Sequence, residues 1–168
     1  MSRLVEEVRE WHTPVVGAYL LWRFTCAYHE NHQVGDVPVV FLHFIAFSML
    51  TSNDYLAEIS GRRKNLSSYI RSFKENKRSD ILACLSQRVC QQRGMTMQAI
   101  DIAVATGLLA WDAETAKLHP LEGVSAKRGS ASRSIGVQEL AKKAEIVGSW
   151  FSAEPDIATI TSSLGVLL

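Results

Sequence analysis

Val37-Pro38-Val39-Val40-Phe41-Leu42-His43-Phe44-Ile45-Ala46-Phe47-Ser48-Met49-Leu50 is the longest apolar run in the chain, interrupted by Pro38, His43 and Ser48. A bilayer span needs about 20 residues, so this shorter run predicts a core helix, and no membrane partner is expected. Being apolar all round, it belongs at the centre of a helical domain. Pro38 suits the first turn, where its missing N–H costs nothing; the helix is predicted over about 38–50.

Working outward, Leu20, Leu21, Phe24 and Tyr28 recur at three- and four-residue spacing and predict a helix over 14–31, broken by Val34-Gly35-Asp36. On the other side, Ser52-Asn53-Asp54 offers cap oxygens to a short helix through Tyr55, Leu56 and Ile59, and Gly61 stops it. Asn65 caps a further helix with Leu66, Tyr69, Ile70 and Phe73 on one stripe. Asp80 opens another through Leu82, Leu85 and Val89, ending near Gly94. A turn at Arg93-Gly94-Met95 then leads to a helix over Thr96–Thr106, with Met97, Ile100 and Val104 as its apolar positions. The period then changes: Leu108–Asp112 and Lys117–Leu121 read as two strands joined by a turn. Helix, turn, helix and hairpin in that order form a winged-helix-like skeleton near 80–122.

Residues 123–136 hold three glycines and four serines with Lys127, Arg128 and Arg133 and no acid, which predicts a flexible basic loop. A last helix over 137–152 follows, with Leu140, Ala144, Val147, Gly148 and Phe151 on one stripe. Ala144 and Gly148 are small at a four-residue spacing, so another backbone can approach there. Asp156 caps a terminal turn carrying Ile157, Ile160 and Leu164. The expected fold is therefore mainly α, one compact helical domain with a winged-helix-like helix-turn-helix and one small β-hairpin. Its parts are a helical core over 1–122, the loop over 123–136, and a C-terminal helix and tail over 137–168. With 168 residues, 47% hydrophobic and 21% charged, the composition is that of an ordinary globular domain.

Net charge is +1, yet residues 61–93 carry nine basic and two acidic side chains, a local +7 against −6 for the rest. The nine are Arg62, Arg63, Lys64, Arg71, Lys74, Lys77, Arg78, Arg88 and Arg93. They fit a solvated helix face, a docking surface for an acidic protein, or a nucleic-acid contact. The aromatic residues among them, Tyr69 and Phe73, belong to the apolar stripe, which disfavours single-strand stacking. Lys117, Lys127, Arg128 and Arg133 are candidate wing or loop contacts. Trp11, Trp150, Phe151, Ile157, Ile160, Leu164 and Val166 are candidate partner-docking positions; core packing is the better reading for Trp150, and the apolar tail over Ile157–Leu168 fits equally a fold-back onto the chain's own core.

Catalytic patterns are missing. There is no phosphate loop, no G-x-G-x-x-G, no G-x-S-x-G and no H-E-x-x-H, so neither an enzyme nor a cofactor is expected. Cys26, His29 and His32 are spaced three and three along a helix, which sets the first and last about 240° apart around its axis and prevents convergence on one ion. His43 reads as a core histidine with one satisfied hydrogen bond rather than a switch or base. Three cysteines without a secretory leader point to the cytoplasm.

The stretch Thr13-Pro14-Val15-Val16-Gly17-Ala18-Tyr19-Leu20-Leu21-Trp22-Arg23-Phe24, followed by the apolar helix to Leu50, resembles the middle-component family of three-component ABC systems. The ending Ala144-Glu145-Ile146-Val147-Gly148-Ser149-Trp150-Phe151, Pro155-Asp156-Ile157-Ala158-Thr159-Ile160 and Leu164-Gly165-Val166 is similar to that family's ending. The resemblance covers nearly the whole chain in order. It implies a small accessory subunit without an active site, set between an SMC-like ABC ATPase, taken as a dimer, and an effector, often a nuclease. The setting implied is Lamassu-type anti-phage or anti-plasmid defence, in which double-stranded DNA is engaged through the complex. The alternative from the helix-turn-helix is a winged-helix DNA-binding transcriptional regulator.

Overall fold

The computed structural model describes residues 13–121 and 135–167. Pro14 sits at the start of α1 (Pro14–Asn31), and the Thr13 hydroxyl accepts from the Val16 amide, two devices that favour a helix start. The apolar run forms α2 (Val40–Leu50), whose Leu42, Ile45, Ala46, Phe47, Met49 and Leu50 are all buried. This helix begins two residues later than predicted because the chain before it is used otherwise. Val39 bridges Lys117, Pro38 O accepts from Leu118 N, and the Val40 amide donates to Ala116 O. Residues 38–40 thus run along a hairpin, which satisfies backbone groups that a helix would otherwise claim.

Next come α3 (Asn53–Leu56), α4 (Leu66–Glu75), α5 (Ser79–Ala83), α6 (Leu85–Gln91) and α7 (Arg93–Ala105). Strands β1 (Leu109–Asp112) and β2 (Lys117–Pro120) pair antiparallel, with Leu109 opposite Pro120 and Asp112 opposite Lys117. The chain closes with α8 (Ile135–Ser152) and α9 (Ile157–Leu164). Among the described residues the fold is mainly helical with this one two-stranded hairpin.

Packing centres on α1. Its most extensive contacts are with α8 and then α7, and α2 lies against it. Small residues permit this. A Cβ on Gly148 would stand 2.5 Å from Phe24 O, and one on Gly17 would stand 2.7 Å from Phe47 Cε2. An ion pair between Arg23 and Glu145 ties α1 to α8 at the rim.

Two predicted boundaries change. The helix expected over 80–94 is divided at Cys84, whose amide donates to Asp80 O and Ile81 O in a tightened turn before Leu85 enters the core. The Arg93-Gly94-Met95 turn lies inside the first turn of α7, and Gln92 alone joins α6 to α7. The buried face of α7 is also rotated: Thr96, Ala99, Ile100 and Ala103 pack inward, leaving Met97 39% and Val104 37% exposed. The reason is steric. Ala99 Cβ fits against Gly17, where a long side chain would not.

His43 is fully buried, with Nε2 2.8 Å from Thr25 Oγ1, Nδ1 3.2 Å from Val39 O, and Phe24 edge-on to its ring. It has the satisfied core environment expected of it. Burial pushes its pKa from 6.5 down to about 4. Between those values the unfolded chain binds more protons than the folded one, so this contribution is complete above pH 6.5 and is lost as pH falls toward 4. By pH 4.5 the loss is about 2–3 kcal/mol. Urea unfolding at pH 7 and 4.5 should show this extra loss in the wild type and its disappearance in His43→Gln; equal acid losses in both would contradict it.

Candidate interaction surface

The nine basic residues of 61–93 fall into two groups. Three are structural. Arg63 pairs with Glu58 and its Nε donates to Glu58 O, while Arg78 reaches Asp54 at 3.1 Å and Glu58 at 3.8 Å. Arg88 is half-buried: Nε donates to Ser48 O and Nη2 to Thr51 O, both at 2.9 Å, and Nη2 also to Thr51 Oγ1 at 3.1 Å. It therefore closes carbonyls that the end of α2 leaves open and adds a cation where the helix dipole favours one. Burial lowers its pKa. These three correct the expectation of one continuous nine-residue face, because their hydrogen-bond capacity is spent on neighbouring acids and helix ends.

The second group is Arg62, Lys64, Arg71, Lys74, Lys77 and Arg93, all exposed. Arg62 and Lys64 lie in the turn before α4, Arg71 and Lys74 on its outer side, and Lys77 just past its end. The order of elements explains this placement. Asn65 caps α4 through a reciprocal pair with Ser68, and Leu66, Tyr69 and Phe73 turn inward. Arg71 and Lys74 consequently face water. Arg93 is separate, at the start of α7.

A DNA-reading helix would present cations and amides to a groove. The outer side of α7 carries Met97, Gln98, Asp101, Val104 and Ala105, with Arg93 at its first position. In the hairpin, Lys117 is not free for a partner: Nζ lies 2.7 Å from both carboxylate oxygens of Asp36, fastening β2 to the α1–α2 connection. That lysine holds the Asp36 carboxyl below its ordinary range. Lys127, Arg128 and Arg133 lie outside the described residues, as does Trp11. Of the predicted loop, residues 135 and 136 already belong to α8.

Of the apolar docking candidates, Trp150 takes the core place that is its better reading, and the tail takes the fold-back reading, so docking is corrected at these positions. Trp150 is 3% exposed, and Phe151, Ile160, Leu164 and Val166 are likewise buried, while Ile157 is half-buried. Trp150 stacks at a tilt on Tyr69 and donates Nε1–H to Arg63 O; Phe151 packs edge-on to Phe24. The physical reason is that α9 folds back against α4 and α8 against α1, so the chain covers its own stripe.

Cys26, His29 and His32 serve other ends. His32 Nδ1 accepts from the Asp36 amide and its ring stacks on Tyr28, and His29 Nδ1 lies 3.4 Å from Asp36 O. Among the described residues no group of three His, Cys, Asp or Glu could hold a metal ion.

Sequence reading missed two anchors. Glu58 organises Arg63, Arg78 and the Asn76 amide together, and Lys143 Nζ donates to Leu56 O at 2.6 Å beside a cavity of about 310 Å³ also lined by Asn53 and Glu139. Burial lowers the Lys143 pKa. Asp54 and Glu58, four apart before a basic stretch, were the available signal for the first; nothing in sequence spacing pointed to the second.

No helix among the described residues is long and apolar enough to cross a membrane. Neither a curated protein nor a solved structure matches the chain. The model of the ABC-three component system Middle Component 3 family matches residues 1–168, from first to last, and the chain belongs to that family.

Proposed function

We propose that this chain is a non-enzymatic accessory subunit that joins an SMC-like ABC ATPase to an effector subunit, a nuclease in the form we favour, within a cytoplasmic anti-phage or anti-plasmid defence complex of Lamassu type. The observation that carries the reading is the match to a middle component over all 168 residues. A component so named works beside other subunits. Arg88, Lys143 and Trp150 support a structural role, because their polar groups serve helix ends and inter-helix ties. With Trp150 and Phe151 already packed in the described fold, those parts are ordered before a partner binds, which limits the entropy lost on assembly.

The test is purification of the tagged chain from cells expressing its whole operon, with the retained proteins identified by mass spectrometry. Retention of a coiled-coil ATPase together with a second, chemically active subunit is expected. Retention of neither, with the chain eluting alone as a dimer that binds an operator sequence, would replace this reading with that of a transcriptional regulator.

A further inference from the structure

We propose that the polar face made by the turn before α4, the outer side of α4 and its C-terminal turn contacts the phosphate backbone of duplex DNA through Arg62, Lys64, Arg71, Lys74 and Lys77. These five cations are exposed, and none is ion-paired with an acid among the described residues. The nearby acids Glu58 and Asp54 are engaged by Arg63 and Arg78, so the structural arginines remove negative charge from the rim and leave five outer cations against the one exposed acid of the face, Glu75. The ten residues of α4 rise about 15 Å, and cations stand before, along and after that length.

The chemistry of the face selects among polyanions. Its other residues are Gly61, Asn65, Ser67, Ser68, Glu75 and Asn76, and its aromatic residues, Tyr69 and Phe73, are buried beneath. Protein interfaces are depleted in Lys and Ser and are centred on buried aromatic or apolar anchors, which this face lacks. Single strands are held by stacking on exposed aromatics, also lacking. Lys, Arg, Ser and Asn without such anchors are the residues that hold duplex phosphates irrespective of sequence.

Lys77 supplies an independent observation. The end of α4 is a Schellman motif: Arg78 N donates to Phe73 O at 2.7 Å and Lys77 N to Lys74 O at 3.2 Å, with Lys77 left-handed at φ 56°. The same bond pair closes α7 and α9, where the left-handed residue is Gly107 or Gly165. Glycine is the low-cost residue there and lysine is strained. One helix end of three carries a strained, exposed cation, and it is the one on the basic face. Strain retained at an exposed position points to function.

This contact is a property of the chain and does not depend on its joining two subunits. The experiment is fluorescence anisotropy of a mixed-sequence 20-bp duplex titrated with the full chain at 50 to 200 mM NaCl, for wild type, Lys77→Gly and Arg71→Glu/Lys74→Glu. With five phosphate contacts the log–log salt slope should be about −4.5, or about 500-fold weaker binding across that range. Lys77→Gly should flatten the slope by about one while raising Tm by about 2–4 °C, a gain in stability with a loss in binding. The double reversal should abolish binding with its circular dichroism unchanged. Absence of duplex binding at 50 mM NaCl would overturn the proposal, as would an unchanged slope in Lys77→Gly. Loss of a co-purifying acidic protein in the double reversal, with duplex affinity intact, would overturn it in favour of protein docking.

Discussion

Gly148→Ala should destabilise the isolated chain by about 3 kcal/mol, the upper end for overpacking, and lower its Tm by about 6–12 °C. The added methyl would meet Phe24 O at 2.5 Å, Tyr28 N at 3.0 Å and Ala27 Cβ at 3.1 Å. Two of those atoms are backbone and cannot move aside by a rotamer change. Because α1 and α8 form the most extensive helix contact among the described residues, relief requires the two helices to part, which also pulls Phe151 from Phe24 and Arg23 from Glu145. Alanine is the better helix former by about 1 kcal/mol, so a net loss isolates the steric cost. Thermal unfolding followed by circular dichroism measures it. A variant as stable as the wild type would show that the helices do not cross this closely.

Trp150→Ala should cost about 3–5 kcal/mol in the same isolated chain. Its indole fills the space between α8 and α4, where it packs on Tyr69 at a centroid distance of 5.2 Å and donates to Arg63 O at 3.2 Å. Truncation leaves a cavity and an unpaired carbonyl together. The effect discriminates between the two roles this residue could have from sequence alone. A tryptophan reserved for a partner would leave the free chain's urea midpoint unchanged and weaken only the complex, whereas a core tryptophan shifts the midpoint with no partner present.

The elements that sequence made legible are those whose signals are local. Asn65 and Asp156 mark helix starts through contacts spanning three residues, to the Ser68 and Thr159 amides. Ala144 and Gly148 announced a close helix crossing because small residues four apart share one face, although not which helix would fill it. What stayed hidden depends on distant chain segments. Pro38 left the helix because the hairpin, almost eighty residues on, claimed Val39 and Val40. Met97 and Val104 lost their places to Ala99 and Ala103 because Gly17 sets the space available. Arg88 looked like the other cations of its segment, and only the position of α2's last turn, 37 to 40 residues earlier, turns it into a helix-end clamp. The tail looked adhesive for the same reason: an apolar stripe reads alike whether its cover is a partner or the chain's own α1 and α4.

Those corrections bear on how the subunit would join its neighbours. With Trp150, Phe151 and the α9 stripe buried among the described residues, those positions are not free to anchor a partner, and the basic rim around α4 is the surface proposed to meet duplex DNA. Arg88 and Lys143 each tie a helix-end carbonyl to a neighbouring helix, which fixes the relative placement of those elements before any partner binds.

The most direct test of the joining role is native mass spectrometry of the purified ATPase and effector, mixed with and without this chain. The expected result is a three-component assembly when the chain is present and separate ATPase and effector when it is omitted or replaced by Gly148→Ala heated past its midpoint. An ATPase–effector assembly that forms equally well without the chain would contradict the account.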